Sequence, residues 1–297
     1  MMFDGSITPV EDVKTGDKLM GPDNLPRTVL KTTSGVGPLY KINPSNATEY
    51  IVNDKHLLSL RRSKYKSDRY PDVDVLTVTP EEYINLSYKK KANFYGYKSS
   101  AIELPKKDLL IPPYILGIWL GDGCSDRQSI TSMDEEVISE FVRWGETYGC
   151  HESRRMKKGQ KSYTVILTNA QGQPNQAKEA FKSLGVLNNK HVPEDYHISS
   201  LEDRLNFLAG ILDTDGHCRQ GYFEVTQKRH DIALSIKRIA DTCGFRTSIK
   251  YNEAKCEGKL FPCYRVRICG DISRIPNKVT HKQCKTERYF KILLISC

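Results

Sequence analysis

The sequence predicts an α+β protein in which a partial all-β domain precedes a domain built from two similar halves. Three observations support this fold class. The first 60 residues combine turn-forming residues with short β-prone runs. An apolar helical segment that ends in Asp-Gly occurs twice, once at Asp122 and once at Asp215. The same succession of a strand, a helix and a second strand follows each copy, and a unit that is repeated once predicts pseudo-two-fold symmetry.

Residues 1–60 show the pattern of short strands separated by turns. Asp4-Gly5 and the Gly-Pro-Asp-Asn stretch at residues 21–24 are turn-forming, because each of these residue types favours a turn conformation for its own physical reason. Leu39–Ile42 and residues 50–52 are short runs of β-prone residues. We therefore assign residues 1–60 to a partial β domain.

Residues 61–111 are basic and aromatic, and we interpret them either as a linker or as a DNA-recognition region. Cations bind phosphates and aromatic rings stack on bases, but the same composition also suits a solvated surface. Both interpretations stay open at this point. The residues concerned are Arg61, Arg62, Lys64, Tyr65, Lys66, Arg69, Tyr70, Lys89, Lys90, Lys91, Phe94, Tyr95 and Tyr97.

Residues 112–205 and 206–283 form the two predicted halves. In each half the sequence predicts a helix that ends in Asp-Gly and a later helix that is closed by a glycine. Ser200 begins an S-x-x-D capping signal ahead of the second copy. The elements predicted after the two copies are strands over 129–132, 163–168, 222–226 and 263–269, and helices over 134–148 and 231–243.

Small residues on one face of each apolar helix predict that the two helices pack closely. Gly117 and Gly121 lie one helical turn apart in the first copy, and Gly210 and Thr214 occupy the same spacing in the second. Small residues at this spacing allow two helix backbones to approach each other. Such packing would bring the two Asp-Gly endings together.

The two acids at these helix ends predict a site for divalent cations. A carboxylate at a helix C-terminus faces the negative end of the helix dipole, and Asp122 and Asp215 placed side by side would repel each other. Mg²⁺ or Mn²⁺ would relieve this repulsion, with the carboxylates and the terminal carbonyls of Gly121 and Thr214 as oxygen ligands. The alternative is an ordinary helix-terminal turn with glycine at positive φ, which the repetition disfavours.

At these residues the chain resembles the LAGLIDADG homing endonucleases. Residues 115–123, Ile-Leu-Gly-Ile-Trp-Leu-Gly-Asp-Gly, and residues 208–216, Leu-Ala-Gly-Ile-Leu-Asp-Thr-Asp-Gly, look like the two motifs of a monomeric enzyme. The likeness is closest to the endonucleases carried in inteins, such as that of the vacuolar-ATPase intein. It implies two αββαββα-like repeats that form a saddle over double-stranded DNA, with Asp122 and Asp215 as the metal-binding, catalytic acids.

The resemblance also implies two catalytic lysines. Lys190 precedes Val192-Pro193, as the first lysine of the family precedes an apolar–proline pair. For the second lysine, Lys278 and Lys282 are both candidates, and we favour Lys282. A lysine beside a scissile phosphate neutralises the charge that develops in the transition state.

The charge of the chain indicates a polyanionic partner, and we predict double-stranded DNA. The net charge is +9 and the pI is about 9.0. In the last predicted strand, Arg265 and Arg267 share one face while Val266 and Ile268 share the other, so one face could line the DNA. Further candidates for DNA contacts are Arg154, Arg155, Lys228, Arg229, Arg246 and Lys250.

Residues 1–60 further resemble the start of a Hint splicing domain. Residues 13–20 look like one of its early strands. Residues 53–56 look like its T-x-x-H box, with Asn53 in place of Thr. The resemblance implies that His56 is a remnant of the histidine that activates the first splice-site peptide.

The resemblance leaves three functions open. We favour a site-specific DNA endonuclease that depends on a divalent metal and acts as a monomer. The alternatives are a protein-splicing element and a nucleic-acid-binding protein without cleavage, as among the LAGLIDADG maturases. Because the chain opens without an intein's nucleophile and residues 284–297 lack its terminal His-Asn, we expect splicing to be lost.

The cysteines and the hydropathy suggest an intracellular protein. The nine cysteines are scattered and lack zinc-ligand spacing, so we expect free thiols. The sequence also lacks an apolar run long enough to cross a bilayer, and its start lacks the pattern of a secretory signal.

Overall fold

The fold of the protein is described from a computed structural model. It covers residues 1–44, 49–62, 75–96, 100–156, 159, 161–256 and 259–284. Several of the basic and aromatic residues singled out above lie outside the described residues, namely Lys64, Tyr65, Lys66, Arg69, Tyr70 and Tyr97. Most of the predicted tail, residues 285–297, also lies outside them.

The N-terminal part is rich in strands, as its turn residues predict. Its elements are β1 (Lys18–Met20), β2 (Pro26–Thr28), β3 (Leu39–Ile42), β4 (Tyr50–Asn53), β5 (Leu58–Arg62), β6 (Val75–Val78), α1 (Pro80–Asn85), α2 (Tyr88–Lys91) and β7 (Phe94–Gly96). All pairs are antiparallel: β1 pairs with β2, β3 pairs with β4, and β5 lies between β6 and β7. The predicted run at Leu39–Ile42 is confirmed as β3.

Strand β5 crosses the predicted boundary at residue 60, and its partners β6 and β7 lie beyond that boundary. Leu58 and Leu60 alternate with exposed residues on β5 and are buried. They share a small hydrophobic core with Val78 and Phe94. The described strands of the 61–111 segment therefore pack with the strands that precede them.

The first half contains seven elements after the connecting segment. They are α3 (Pro113–Asp122), β8 (Ser129–Ser132), α4 (Glu135–Glu146), β9 (His151–Met156), β10 (Tyr163–Thr168), α5 (Gln176–Ser183) and α6 (Glu194–His197). The three strands form an antiparallel sheet in the order β8-β10-β9. An isolated bridge between Gly123 and Ile130 extends this sheet on the β8 side.

The second half repeats this arrangement. Its elements are α7 (Leu201–Asp215), β11 (Gly216–Arg219), β12 (Tyr222–Gln227), α8 (His230–Thr242), β13 (Arg246–Cys256) and β14 (Lys259–Cys269), followed by 3-10 turns at Ile272–Arg274 and Thr280–Lys282. The sheet order is β11-β12-β14-β13. The Gly123–Ile130 bridge corresponds to the pairing of Gly216 with Val225. The predicted pseudo-two-fold α+β domain is confirmed.

Helices α3 and α7 lie in the middle of the main hydrophobic core. Every residue from Tyr114 to Leu120 in α3 is buried, as is every residue from Phe207 to Asp213 in α7. A helix that is apolar on all sides belongs in the interior. Among the described residues, none of the helices combines the length and the apolar character needed to span a membrane.

The cysteines are not all free. Cys218 on β11 and Cys284 form a disulfide, with Cα atoms 6.1 Å apart. The expectation of free thiols is therefore wrong for this pair. The two residues lie 66 positions apart, so only the folded chain brings them together. The bond joins β11 to the segment that follows Lys282.

Candidate active site

The close packing of α3 against α7 depends on two glycines that face each other. A Cβ atom on Gly117 would lie 2.6 Å from the carbonyl oxygen of Phe207 and 3.0 Å from the Cα of Gly210. A Cβ on Gly210 would overlap the carbonyl oxygen of Tyr114. The predicted approach of the two helix backbones through small residues is therefore present.

The C-terminal ends of the same helices also meet. A Cβ on Gly121 would overlap Thr214 Oγ1 and would lie 3.4 Å from Asp215 Oδ2. Thr214 keeps its hydroxyl within its own helix, where it donates to the carbonyls of Gly210 and Ile211 at 3.1 and 3.0 Å. The carboxylate of α7 therefore lies against the last turn of α3, which ends at Asp122.

The glycines that follow the two acids are not left-handed helix caps. Gly123 has φ −78° and Gly216 has φ −81°, which any residue could adopt. Glycine is needed at these positions for lack of space and not for its φ angle. A Cβ on Gly216 would lie 2.5 Å from the carbonyl oxygen of Leu212. A Cβ on Gly123 would overlap the carbonyl oxygen of Trp119. The interpretation as an ordinary glycine turn at positive φ is therefore wrong.

The two acids at these ends are poorly solvated. Burial, followed by repulsion from Asp215, raises the pKa of Asp122 to about 6. Burial also raises the pKa of Asp215, although Gln227 Nε2 donates a hydrogen bond to its Oδ2 at 2.5 Å. The positive charges of Lys190 and Lys282 partly oppose both of these increases in pKa. The pair therefore carries an electrostatic cost that an added cation would reduce.

Lys190 lies at the end of α3, as the resemblance implies. Its Nζ donates to the carbonyls of Trp119, Leu120 and Gly123 at 2.9, 3.0 and 2.7 Å, and it lies 5.0 Å from the centroid of the Trp119 ring. Burial lowers its pKa to about 8, and the two aspartates oppose this shift. The lysine is thus held by carbonyls at the helix C-terminus, of which that of Trp119 also accepts the Gly123 backbone N–H at 2.9 Å.

Lys282 occupies the corresponding place at the end of α7. Its Nζ donates to the carbonyls of Asp213 and Thr214 at 2.7 and 2.6 Å. Lys278, the other candidate, points elsewhere: its Nζ pairs with Glu140 at 2.8 Å and lies 4.8 Å from the centroid of the Tyr114 ring. Of the two candidates, only Lys282 lies beside the paired acids.

The oxygen atoms at the site suit a cation that takes few ligands from the protein. Nowhere in the described parts of the chain do three or more His, Cys, Asp or Glu residues form a metal-binding group. Mg²⁺ is often bound by one or two carboxylates, and substrate phosphates and water complete its coordination. Asp122 and Asp215 fit this pattern. The Thr214 carbonyl, which we predicted as a ligand, already accepts a hydrogen bond from Lys282.

Gln227 is a candidate that the sequence analysis missed. It is the last residue of β12 and is buried, and its amide contacts Asp215 as described above. The corresponding strand of the first half ends at Ser132, which has no amide. Because the two halves differ here, the repeat gave no signal for Gln227.

The four-stranded sheet presents an open basic face. Arg265 and Arg267 are about half exposed, whereas Val266 and Ile268 are fully buried beneath them, so the predicted alternation is confirmed. Both arginines lie 3.2 Å from Glu224 on β12. This pairing holds the two guanidinium groups next to each other on the exposed face of the sheet.

The other candidate cations lie in different settings. Arg155 is paired in register with Thr164 and shares the open face of the first sheet. Arg154 is paired with the buried Val165 and forms ion pairs with Glu135 of α4 and with Glu152. Arg154 therefore lies on the helix side of its sheet, apart from Arg155.

In the second half, Lys250 is paired with Arg265 across the sheet, and Arg246 begins the same strand. Lys228 and Arg229 lie between β12 and α8 and are exposed. Arg229 pairs with Asp231 at 2.5 Å. His56 is exposed in the turn after β4, in the N-terminal part of the chain. Lys250 thus joins the arginine face, whereas Arg229 already has a carboxylate partner.

Comparison with known families identifies two domains. Residues 1–108 match the Hom_end-associated Hint domain. Residues 202–274 match the LAGLIDADG-like domain. The first match includes both the segment predicted as a partial β domain and most of the basic and aromatic segment. The second match includes α7 from its second residue onward and the whole four-stranded sheet.

The chain is also similar to known proteins and structures. It is 29% identical over 259 residues to the replicative DNA helicase DnaB of Mycobacterium intracellulare. The matched region covers 80% of this chain and 40% of the helicase. A structure of the homing endonuclease I-DmoI in complex with DNA and Mn is 16% identical, with a TM-score of 0.40, and covers 60% of this chain and 98% of that chain. A structure of the N-terminal LAGLIDADG domain of DUF199/WhiA is 11% identical, with a TM-score of 0.36, and the match covers 64% of this chain and 82% of that chain.

Proposed function

The chain combines a Hom_end-associated Hint domain with a LAGLIDADG-like domain, and we propose that it is an intein-derived homing endonuclease that cuts double-stranded DNA at a specific site. One observation carries the proposal. Two partly buried acids, Asp122 and Asp215, meet at the ends of closely packed helices, and each helix end binds a lysine. Like charges that are partly removed from water are costly, and such groups occur most often at functional sites.

The residues at the site have different roles in the proposed phosphodiester hydrolysis. Asp122 and Asp215 bind the divalent cation, for which we propose Mg²⁺ or Mn²⁺. A bound cation of this kind activates water and neutralises charge on the phosphate. Lys190 lies at the end of the helix that carries Asp122, and Lys282 lies at the end of the helix that carries Asp215. Both would stabilise negative charge on a phosphate bound beside the two acids. Gln227 orients the Asp215 carboxylate through its amide.

The open face of the second sheet supplies the DNA-binding surface. Arg265, Arg267 and Lys250 are positioned there to neutralise phosphates or to read base edges. Arg155 offers a cation on the corresponding face of the first half. Because both acids come from one chain, we propose that the protein acts as a monomer.

The activity of the helicase relative is not part of this proposal. The chain spans less than half the length of that relative. Its own family matches are to the Hint and LAGLIDADG-like domains. We propose that the shared segment is an insertion of the intein type, and we assign no helicase function to it.

Cleavage of a randomised DNA library tests the proposed function whatever the target sequence is. The protein is incubated with linear duplexes that carry a long random segment, in Mg²⁺ and in EDTA, and the new DNA ends are sequenced. We expect one family of related sequences to be cut in both strands in Mg²⁺ and to remain intact in EDTA. Binding of a duplex sequence without any cutting would favour the maturase-like alternative and overturn the proposal.

A further inference from the structure

Asp213 is a buried acid that the proposed chemistry does not use. It precedes Asp215 by two residues on α7, and its side chain has no exposed surface. Its carboxylate accepts three hydrogen bonds. Asp213 Oδ2 accepts from Tyr114 Oη at 2.9 Å and from the backbone nitrogen of Lys278 at 2.8 Å. Asp213 Oδ1 accepts from Asn277 Nδ2 at 2.8 Å.

The partners of Asp213 lie at the start of the segment that carries Lys282. The ammonium group of Lys282 returns to the backbone carbonyl of the same Asp213 at 2.7 Å. Gln283 Nε2 donates to the carbonyl of Asn277 at 2.9 Å, which closes the segment upon itself. Both ends of residues 277–282 are therefore attached to one residue of α7.

The first half positions its lysine without such a residue. Leu120 occupies the place in α3 that corresponds to Asp213, two residues before the acid. Lys190 instead has three carbonyls at the helix end and the ring of Trp119. The two halves thus hold equivalent lysines by different means, and only the second half uses a buried carboxylate.

We propose that Asp213 is a positioning residue for Lys282, so that cleavage of one DNA strand depends on it while cleavage of the other does not. This inference rests on the proposed function. It also uses the pseudo-two-fold symmetry of the domain, because the two strands of a duplex are related by a two-fold axis and each half faces one strand. When residues 277–282 lose their attachment, the half that contains Asp215 would cut its DNA strand more slowly.

The substitution Asp213→Ala removes this attachment, because it deletes both carboxylate oxygens. The Lys278 backbone N–H and Asn277 Nδ2 then lose their acceptor, and a buried donor without a partner is costly. Asparagine would not serve, because its NH₂ group could face a flipped Asn277 amide while its oxygen keeps the bonds from Tyr114 and Lys278. Tyr114→Phe is the matched control, because it leaves the bonds to Asn277 and Lys278 intact.

Hydrogen–deuterium exchange of the free protein tests the positioning step without DNA. In Asp213→Ala we expect the amides of residues 277–283 to exchange about tenfold faster, as loss of a buried hydrogen bond implies. In Tyr114→Phe we expect them to stay within about twofold of wild type. Asn277→Ala is a second variant that removes the same attachment from the other side. Unchanged exchange in both attachment variants would overturn the proposal.

Strand-resolved cleavage tests the consequence. The substrate is a duplex recovered from the library selection, with a different dye on each strand. We expect Asp213→Ala to accumulate a nicked product, with one strand cut at least about tenfold more slowly, the other within about twofold, and KM unchanged. We expect Asp213→Ala combined with Lys282→Ala to cut no more slowly than Lys282→Ala alone, because residues that act through one group are not additive.

The two proposals fail in different ways. If the wild-type protein cuts no duplex, the proposed endonuclease function is wrong, and the exchange experiment still decides whether Asp213 holds residues 277–282. If the wild type cuts and Asp213→Ala slows both strands equally, the positioning role is wrong and the endonuclease stands. A double variant slower than Lys282→Ala by the full effect of Asp213→Ala would also contradict the positioning role.

Discussion

Asp122 and Asp215 are placed where they cost stability. Each lies at the negative end of a helix dipole, is partly removed from water, and has the other acid as a neighbour. The lysines at the helix ends reduce this cost, yet the pKa of Asp122 remains at about 6. The free protein therefore stores electrostatic repulsion that a bound divalent cation would release.

The raised pKa of Asp122 predicts a pH-dependent gain in stability for Asp122→Asn. A carboxyl whose pKa is raised from 3.8 to about 6 by folding destabilises the fold above that pH, and the cost disappears below the unfolded value. We expect Asp122→Asn, in EDTA, to raise the free energy of unfolding at pH 8 by up to about 3 kcal/mol and to leave it unchanged at pH 3.5.

Urea unfolding at the two pH values measures this effect. Asp126→Asn is a suitable control, because Asp126 lies in the loop after the same helix but is fully exposed, and Arg127 lowers its pKa. That variant should gain nothing at pH 8. A gain for Asp122→Asn that is equal at both pH values would show that charge is not its cause.

The two candidate lysines of the second half predict different results for alanine substitutions. Lys282 binds the carbonyls at the end of α7, whereas Lys278 pairs with Glu140 of α4. We expect Lys282→Ala to slow cleavage at saturating DNA by about 100-fold or more, as removal of a group that stabilises transition-state charge does. Lys278→Ala should change the rate less than about threefold, as a partly exposed ion pair contributes little. Equal losses in both variants would remove the basis for choosing Lys282.

At the scale of elements, the glycines between α3 and α7 determine how closely the acids approach. Gly210→Ala would place a methyl group on the carbonyl of Tyr114, and the helices would have to separate. We expect a loss of about 1–3 kcal/mol in the free energy of unfolding, together with a loss of cleavage. Thermal unfolding and the cleavage assay measure both effects.

Gly35→Ala is the control for this substitution. A Cβ at Gly35 would meet no atom within 4 Å, so the same chemical change should leave the stability and the cleavage rate unaltered. Full stability of Gly210→Ala would mean that the helices tolerate separation. The acids would then not depend on this contact.

The elements that could be predicted are those with a strong periodic pattern. The strands at residues 129–132 and 163–168 match β8 and β10 residue for residue, because their apolar residues face the core. Strand β9, His151–Met156, was not predicted. It lies at the edge of its sheet and is polar on both faces, so it shows no alternation of apolar and polar residues.

At the site too, residues that a sequence pattern marks could be predicted, and residues without such a pattern could not. The sequence repeat predicted the two acids and their pairing, because the repeat itself marked them. The resemblance offered both Lys278 and Lys282 and favoured Lys282, whose contact with the end of α7 is visible only in the structure. The repeat did not mark Gln227 or the contacts of Asp213, because Ser132 and Leu120 stand at the corresponding positions of the first half. Contacts that break the repeat become visible only in the folded chain.

At the scale of the whole molecule, the excess of 45 Lys and Arg over 36 Asp and Glu predicts DNA binding that weakens with salt. Counterions are released when cations meet phosphates, so log Kd should rise linearly with log salt. We expect Arg267→Ala to reduce the slope by about one. Binding titrations of the selected duplex at several salt concentrations give the slope.

Arg143→Ala is the matched control for this measurement. It removes the same charge from α4, where Arg143 pairs with Glu140, on the helix side of the first sheet. Its slope should equal that of the wild type. If both variants reduced the slope equally, total charge rather than the open face of the second sheet would determine binding.

We propose that Asp122 and Asp215 together form one metal-dependent site for cutting DNA. The most direct test is cleavage of the selected duplex in Mg²⁺ by Asp122→Asn and by Asp215→Asn, with DNA binding measured on the same preparations. We expect both variants to bind the duplex at least as tightly as wild type, because repulsion between the acids and the phosphates is reduced, and to produce no double-strand breaks. Wild-type rates of double-strand cleavage in either variant would contradict the account.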